Sequence, residues 1–209
     1  MTTLLRLSDS CLQISNDRHA TLIDPGFHTF DSGEVDLEII GDVTRVLITH
    51  EHTDHLKPEF VRWLVDRRRD VTVHSNQSVV TLLARHGIEA STSQPEGVTA
   101  EDAQHEMTPA GTVPPNRAFT VHEVLTHPGD SYRITSTAPV LALSVMSPWG
   151  SARESVEFAR RLKPRQVVLV HDFYFGKSGR AWVARFMAGH LEKAGIEVLP
   201  LDWGESATL

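Results

Sequence analysis

The sequence has one cysteine among its 209 residues, Cys11, so no disulfide can form within the chain. It therefore lacks the paired cysteines of thiolate zinc motifs, and such cysteine usage suits a reducing cytoplasm. No segment approaches the roughly 20 apolar residues of a membrane-spanning helix. The first ten residues, MTTLLRLSDS, hold no apolar stretch long enough for a signal peptide. These absences predict a cytoplasmic protein that does not act in a membrane.

Positive charge is also in short supply. Lysine and arginine total 20 against 27 aspartates and glutamates, which gives a formal net charge of -7. Such a balance disfavours a broad grip on nucleic acid or on anionic membrane, so the partner we expect is a small-molecule substrate. No feature of the sequence identifies an interface, and a homo-oligomer stays open.

Length and composition fit a single globular domain that spans residues 1–209. Short apolar runs separated by turn residues predict strands, and apolar residues four apart predict helices. The predicted strands cover residues 3–7, 11–15, 20–24, 45–50, 71–75, 118–125, 131–136, 140–146, 166–170 and 196–200. One predicted helix begins at Pro58, and three others cover residues 78–87, 151–162 and 179–195. This order predicts two similar halves, with two sheets packed face to face and helices outside.

Histidine, by contrast, is abundant, and four candidate metal ligands crowd the stretch LITHEHTDHL. They are His50, His52, Asp54 and His55, at the end of a predicted buried strand. Side chains two apart in an extended segment point the same way, so His50 and His52 can approach one ion together. Imidazole and carboxylate suit zinc and related divalent metals. A hydrophobic core could not hold these groups unpaired, so we predict a metal site.

This H-x-H-x-D-H cluster resembles the first metal motif of the metallo-β-lactamase-fold hydrolases. The run LIDPG resembles the strand that ends in Asp-Pro-Gly in that family, THPGDSY resembles its Gly-Asp motif, and KPRQVVLVHDF resembles its last histidine motif. The resemblance covers nearly the whole chain, and it is strongest to the compact lactonase-like group that includes ascorbate-phosphate lactonase. It implies an α/β fold, the four-layer αββα sandwich, and a metal-dependent hydrolase.

The resemblance also implies a dinuclear centre with two divalent ions, zinc first and manganese or iron next. The implied ligands are His50, His52 and His105 for one ion, Asp54, His55 and His171 for the other, and Asp130 as the bridge. Asp54 is also predicted to be catalytic. A bridging water between ions about 3.5–4 Å apart would become hydroxide and cleave an ester, lactone or phosphodiester bond.

His105 is the least constrained of these ligands, because several histidines lie between the first motif and the Gly-Asp motif. The candidates are His74, His86, His105, His122 and His127. In the lactonase-like group, a histidine at a strand end opens a loop rich in glycine and proline before the strand that leads to Gly-Asp, and His105 fits that order. His122 is predicted to lie in mid-strand, His127 lies too close to Asp130, and His86 resembles a cation at a helix end.

Supporting residues can be named as candidates. Asp24, Asp172 and Glu51 could accept hydrogen bonds from the ligand histidines and fix their tautomers. Trp149, Phe173, Tyr174 and Lys177 could line a substrate pocket, although ordinary loop packing explains them equally well.

Two alternative functions stay open: an iron-dependent redox member of the same fold, and a noncatalytic metal-binding relative. The complete motif set weighs against the noncatalytic relative. The presence of all second-site ligands, and a chain too short for a flavin domain, weigh against redox chemistry. A β-lactam substrate is disfavoured because the sequence shows no export signal.

Overall fold

The computed structural model describes residues 1–68 and 70–209, which divide into two compact units. The first unit comprises Met1–Glu96 with Trp203–Leu209, and the second comprises Gly97–Asp202. Each unit has its own six-stranded sheet and its own helices. The predicted α/β class, with a sheet and helices in each half, is confirmed. The single domain over residues 1–209 stays a prediction.

The elements follow one another along the chain as alternating groups of strands and helices. In order they are β1 (Thr3–Arg6), β2 (Leu12–Ser15), β3 (Ala20–Ile23), α1 (Phe27–Asp31), β4 (Arg45–Leu47), α2 (Pro58–Arg67), β5 (Thr72–His74), α3 (Gln77–Arg85), β6 (Val98–Asp102), β7 (Arg117–Val121), β8 (Leu125–His127), β9 (Val140–Ser144), α4 (Ala152–Leu162), β10 (Gln166–Val170), α5 (Lys177–Leu191), β11 (Glu197–Val198) and β12 (Ser206–Thr208). Short 3₁₀ helices cover Leu37–Ile40 and Glu192–Ala194. No helix within the described residues is long and apolar enough to span a bilayer.

The two sheets share one plan. In the first, β1, β2 and β3 form an antiparallel meander, and β4 and β5 then continue in parallel with β3. In the second, β6, β7 and β8 form the meander, and β9, β10 and β11 continue in parallel with β8. The first and third strands of a meander run in the same direction. The carboxyl ends of β1, β3, β4 and β5 therefore lie at one edge of the first sheet, and those of β6, β8, β9 and β10 lie at one edge of the second.

Each unit buries its own apolar core between sheet and helices. In α2 the buried residues are Phe60, Val61 and Leu64, and Pro58 takes the first helical turn as predicted. In α5 the residues Val183, Met187 and Leu191 recur every four positions and are buried. Burial of each such side chain contributes about 1.5–3 kcal/mol.

Helix α4 begins with a capping box formed by Ser151 and Glu154. The Ser151 side chain accepts a hydrogen bond from the Glu154 backbone, and the Glu154 carboxylate accepts one from the backbone N–H of Ser151. This reciprocal pairing satisfies two backbone donors that would otherwise have no partner within the helix.

The single strand predicted over residues 118–125 is wrong, because the segment turns back on itself. His122 and Glu123 have φ angles of 54° and 57° and join β7 to β8 in a tight hairpin. Two successive residues of positive φ are the signature of a type I′ turn, whose twist matches that of the flanking strands. The expectation that His122 lies in mid-strand is corrected with it.

Two further strand assignments differ from the sequence-based ones. Residues 131–136 form no strand, since the Ser131 side chain donates to the Gln104 carbonyl and accepts from the Arg133 backbone, which competes with ladder pairing. Strand β6 was missed because its sequence VTAED is polar, as suits an edge strand with one buried residue. Strand β12 was also missed, and its register comes from pairing with the distant β1.

Candidate metal centre

The histidine motif begins at the carboxyl end of β4. His50 and His55 are fully buried, and the His50 Nε2 atom lies 3.0 Å from His52 Nδ1. Two donors that share one tetrahedral zinc ion, at about 2.0–2.1 Å each, lie about 3.4 Å apart. The two nitrogens are therefore placed to coordinate one ion, as the two-residue spacing predicts.

The second pair in the motif has a similar separation. His55 Nε2 lies 3.6 Å from Asp54 Oδ2, and the Asp54 side chain keeps 30% of its surface exposed while that of His55 keeps none. On its other side, His55 Nδ1 lies 2.6 Å from Asp24 Oδ2. A carboxylate at this nitrogen accepts its proton and leaves the Nε2 lone pair for a ligand. Asp24 is thus the acceptor that the sequence analysis expected.

Thr49 joins the motif to Asp24 and is a residue that sequence reasoning missed. Its backbone N–H donates to Asp24 Oδ1 at 2.7 Å, and its hydroxyl donates to Asp24 Oδ2 at 2.8 Å. The same hydroxyl lies 3.0 Å from His50 Nδ1 and can accept its proton. Both buried rings are thereby oriented with Nε2 as the atom available to a metal. A threonine in an apolar strand indicates only a β-branched residue that favours strands, so the sequence did not predict a role for Thr49 in the site.

Gly26 allows the motif loop to pack against the turn that follows β3. A Cβ atom at Gly26 would lie 1.8 Å from the carbonyl oxygen of Asp54. The same carbonyl accepts a hydrogen bond from Ser10 Oγ at 2.7 Å, and the Phe27 N–H donates to the Thr53 carbonyl at 2.8 Å. The close approach of the two backbones requires glycine at this position. The contact fixes the position of the Asp54 backbone.

In the second unit, two of the predicted ligands, His105 and His171, lie against the carboxylate of a third, Asp130. Asp130 Oδ2 lies 3.4 Å from His105 Nε2, and Asp130 Oδ1 lies 3.0 Å from His171 Nε2. All three residues are buried. One oxygen faces each histidine, which is the arrangement that a carboxylate bridging two ions requires.

Topology explains why His105 reaches Asp130. Strand β6 runs in the same direction as β8, so the segment after Asp102 emerges at the edge where Asp130 follows β8. His105 Nδ1 lies 2.5 Å from the Glu106 carbonyl, and the Glu106 N–H donates to the Asp130 carbonyl at 2.8 Å. The carbonyl at Nδ1 leaves Nε2 as the metal-facing nitrogen.

Asn116 is a second supporting residue that sequence reasoning missed. Its side-chain amide donates to the carbonyls of Ala103 and Pro128 at 3.0 Å each, and its Oδ1 accepts from the Asp130 N–H at 3.2 Å. One buried side chain thus ties the loop that carries His105 to the loop that carries Asp130. The asparagine lies in a polar loop rich in proline, where composition alone indicates only a turn.

The competing histidines have other surroundings. His74 Nδ1 lies 3.0 Å from the Ser93 carbonyl, and His127 Nδ1 accepts from the Gly129 N–H at 3.2 Å. His86 follows the last residue of α3, as expected for a histidine at a helix end. In the second unit, His105 Nε2 lies 3.4 Å from Asp130 Oδ2.

Two residues of the candidate site have a strained backbone, each at the carboxyl end of a strand. Asp24 is the first residue after β3 and His171 is the first after β10, and their φ angles are 52° and 59°. A left-handed conformation at a residue other than glycine costs of order 1–3 kcal/mol, and such residues cluster at functional sites. Both turns redirect the chain at a residue of the candidate site, the predicted ligand His171 or the hydrogen-bond acceptor Asp24.

The candidate pocket residues divide by their contacts. The ring centroid of Trp149 lies 6.3 Å from that of His105 and 5.8 Å from that of His171. Phe173 and Tyr174 contact each other, and Lys177 is an exposed residue at the start of α5.

Two other residues were predicted to accept hydrogen bonds from the ligand histidines. Glu51 accepts a hydrogen bond from Ser78, and Asp172 is buried.

Comparison with known proteins decides the fold. No protein-family model matches the sequence. A curated protein of Mycobacterium tuberculosis, Rv0786c, is 26% identical over 181 residues, which cover 81% of this chain and 83% of that protein. Igni18, a metallo hydrolase of the archaeon Ignicoccus hospitalis, is 16% identical and superposes with a TM-score of 0.72 over 99% of this chain and 97% of its own. YhfI of Bacillus subtilis, a metallo-β-lactamase fold protein, is 12% identical and gives 0.68 over 99% and 98%. This chain has the metallo-β-lactamase fold.

On this metallo-β-lactamase fold, the predicted ligands occupy the carboxyl edges of the two sheets. His50, His52, Asp54 and His55 lie together in the first unit, and His105, Asp130 and His171 lie together in the second. Buried imidazoles with one nitrogen already committed to an acceptor, beside carboxylates, form a donor set suited to divalent metal ions. The assignment of all seven residues to two shared ions stays a prediction.

Proposed function

We propose that the protein is a metal-dependent hydrolase with a dinuclear centre that cleaves an ester, lactone or phosphodiester bond. The observation that carries the proposal is the position of Asp130, whose two carboxylate oxygens face different buried histidines. In this proposal His50, His52 and His105 would hold the first ion and Asp54, His55 and His171 the second. Asp130 would supply one carboxylate oxygen to each. The fold shared with a metallo hydrolase of Ignicoccus hospitalis supports the same reading.

Bound divalent ions would polarise the bond under attack and lower the pKa of a bound water. The protein's own side chains would orient the ligands. Asp24 and Thr49 hold the motif rings in one tautomer and one orientation, so the donors are ordered before an ion or a substrate arrives.

Asp54 is proposed to be catalytic as well as a ligand. Its side chain is partly exposed, whereas those of His55, His105 and Asp130 are almost fully buried. A partly exposed carboxylate can meet a substrate directly. Its second oxygen, Oδ1, can take the proton of the attacking water and return it to the leaving oxygen.

Zinc is proposed as the resident metal, with manganese or iron as the other candidates, because nitrogen and oxygen ligands accept each of them. The net charge of -7 favours a small-molecule substrate over nucleic acid. The single cysteine fits a cytoplasmic location, and a homo-oligomer stays open.

The test combines metal content with turnover. The purified protein should contain two zinc or manganese ions per chain and hydrolyse bis-p-nitrophenyl phosphate or a member of a lactone panel. His50→Ala should abolish turnover, while His190→Ala, which changes an exposed histidine on α5, should leave it unchanged. One iron with oxygen consumption would instead assign the redox alternative, and bound metal without turnover on any substrate would assign the noncatalytic one.

A further inference from the structure

Two loops border the ligands of the second unit and carry almost no charge. The first, residues 145–150, follows β9 and has the sequence VMSPWG; we call it the Trp149 loop. The second, residues 171–176, follows β10 with the sequence HDFYFG, in which the one acidic side chain, Asp172, is buried. Met146 and Tyr174 expose 49% and 77% of their surface. Because β9 and β10 are parallel, both loops emerge at the edge that carries Asp130 and His171.

Trp149 lies directly beside the candidate ligands. Its ring stands edge-on to His105 and to His171, with centroids 6.3 Å and 5.8 Å away, and these are the two histidines that flank Asp130. The residue is half-buried, so part of the indole faces the ligands and part remains accessible. A group bound to the centre from this side would meet the indole.

The position of Trp149 is built into the fold. Tyr132 packs against the indole with ring centroids 5.1 Å apart, and the Tyr132 hydroxyl lies 2.7 Å from Ser155 Oγ on α4. Gly150 makes room for that hydroxyl, because a Cβ atom there would lie 2.6 Å from it. The core of the second unit therefore fixes the indole from behind.

The chemistry of the two loops favours one substrate class. Side-chain recognition of a phosphate group relies on arginine, lysine or clustered N–H donors. Residues 145–150 and 171–176 contain no lysine or arginine, and the nearest following cation is Lys177, which is exposed at the start of α5. The two loops instead present the Trp149 indole, which packs on Tyr132, and the exposed side chains of Met146 and Tyr174, all of which offer apolar or aromatic contact. Building on the proposed function, we propose that Trp149 is a specificity-determining residue that receives the apolar group of an uncharged ester or lactone.

The experiment compares two lactones that differ only in the length of their alkyl substituent. Each buried methylene contributes about fourfold to kcat/KM, so the metal-loaded enzyme should prefer γ-decanolactone to γ-valerolactone by at least about tenfold. Trp149→Ala should reduce this preference to below about threefold by slowing γ-decanolactone, and Trp149→Phe should keep most of it. Trp182→Ala is the matched control, since Trp182 is an exposed tryptophan stacked on Phe186 of α5.

A binding measurement separates this inference from the proposed function. Calorimetry with the hexyl γ-lactam, the amide counterpart of γ-decanolactone, reports the apolar contact without hydrolysis. Trp149→Ala should weaken binding about tenfold, and Trp182→Ala should not. If neither bis-p-nitrophenyl phosphate nor any lactone is turned over but the lactam binds in this pattern, the proposed function fails and the role of Trp149 in receiving the apolar group stands. If the wild type shows no preference for the longer chain, or Trp149→Ala behaves like Trp182→Ala in both assays, the role of Trp149 is overturned.

Discussion

The Nδ1 atom of His55 lies 2.6 Å from Asp24 Oδ2, and both side chains are fully buried. The contact joins the turn after β3 to the motif after β4, and Thr49 satisfies both carboxylate oxygens of Asp24. Asp24 therefore orders the motif without being a proposed ligand, and its contribution can be measured separately from those of the ligands.

Asp24→Asn should weaken zinc binding about 10- to 100-fold, the usual range for loss of an acceptor behind a ligand histidine. Asparagine tolerates the positive φ of position 24, so the backbone should keep its shape. Competition with a fluorescent chelator measures the affinity. Asp17→Asn, at an exposed aspartate, is the control. Equal affinities for the two variants would mean that Asp24 only holds the turn.

Gly26→Ala should damage the centre by steric displacement. The added Cβ would lie 1.8 Å from the Asp54 carbonyl oxygen. Because the atoms in its way belong to the backbone, relief of the clash requires a shift of the main chain. We expect a loss of stability of about 1–3 kcal/mol, typical of overpacking, together with loss of turnover as Asp54 moves.

The control is Gly189→Ala in α5, where nothing lies within 4 Å of the new methyl group. It should stabilise the protein by about 0.5–1 kcal/mol, because alanine is the better helix former. Urea unfolding and a turnover assay on both variants give the comparison. A Gly26→Ala protein with unchanged stability and turnover would show that the loops are not packed as described.

His74 should make the stability of the metal-free protein depend on pH. Burial lowers the pKa of His74 below its ordinary value of 6.5; the Ser93 carbonyl opposes this shift and the charge of Arg45 adds to it. Below about pH 6.5 the unfolded chain binds a proton that the native chain does not. The free energy of unfolding should therefore fall as the pH drops from about 6.5 through the native pKa of His74, and this contribution should be constant above that window.

His74→Gln removes this contribution and should flatten the dependence. Urea unfolding in EDTA at pH 7.5 and pH 5 gives the difference for wild type and variant, and the other histidines cancel because both proteins have them. His86→Gln changes an exposed histidine, and this variant should show the same dependence of the free energy of unfolding on pH as the wild type. Identical slopes for wild type and His74→Gln would contradict the account.

Local patterns predicted much of the fold, and distant pairings account for most of the errors. The strand that leads to His50 and the helix that begins at Pro58 follow from runs and spacings a few residues long. The hairpin turn at His122, the edge strand β6 and the strand β12 depend on partners that no local pattern reveals. Tertiary pairing decided each of these elements.

The same division applies to the site. Ligand chemistry marked the residues of the histidine motif, and the family resemblance selected His105, Asp130 and His171. Thr49 and Asn116 have no such mark, because their roles consist of hydrogen bonds to residues that the fold brings near. Residues that bind can be named from the sequence, whereas residues that position them need coordinates.

The central claim is that Asp130 bridges two ions, and anomalous diffraction tests it most directly. Crystals grown with zinc should give two peaks in difference maps collected at the zinc edge, one beside each carboxylate oxygen of Asp130. One peak should also contact His105 and the other His171. A single peak, or two peaks that both lie away from Asp130, would contradict the account.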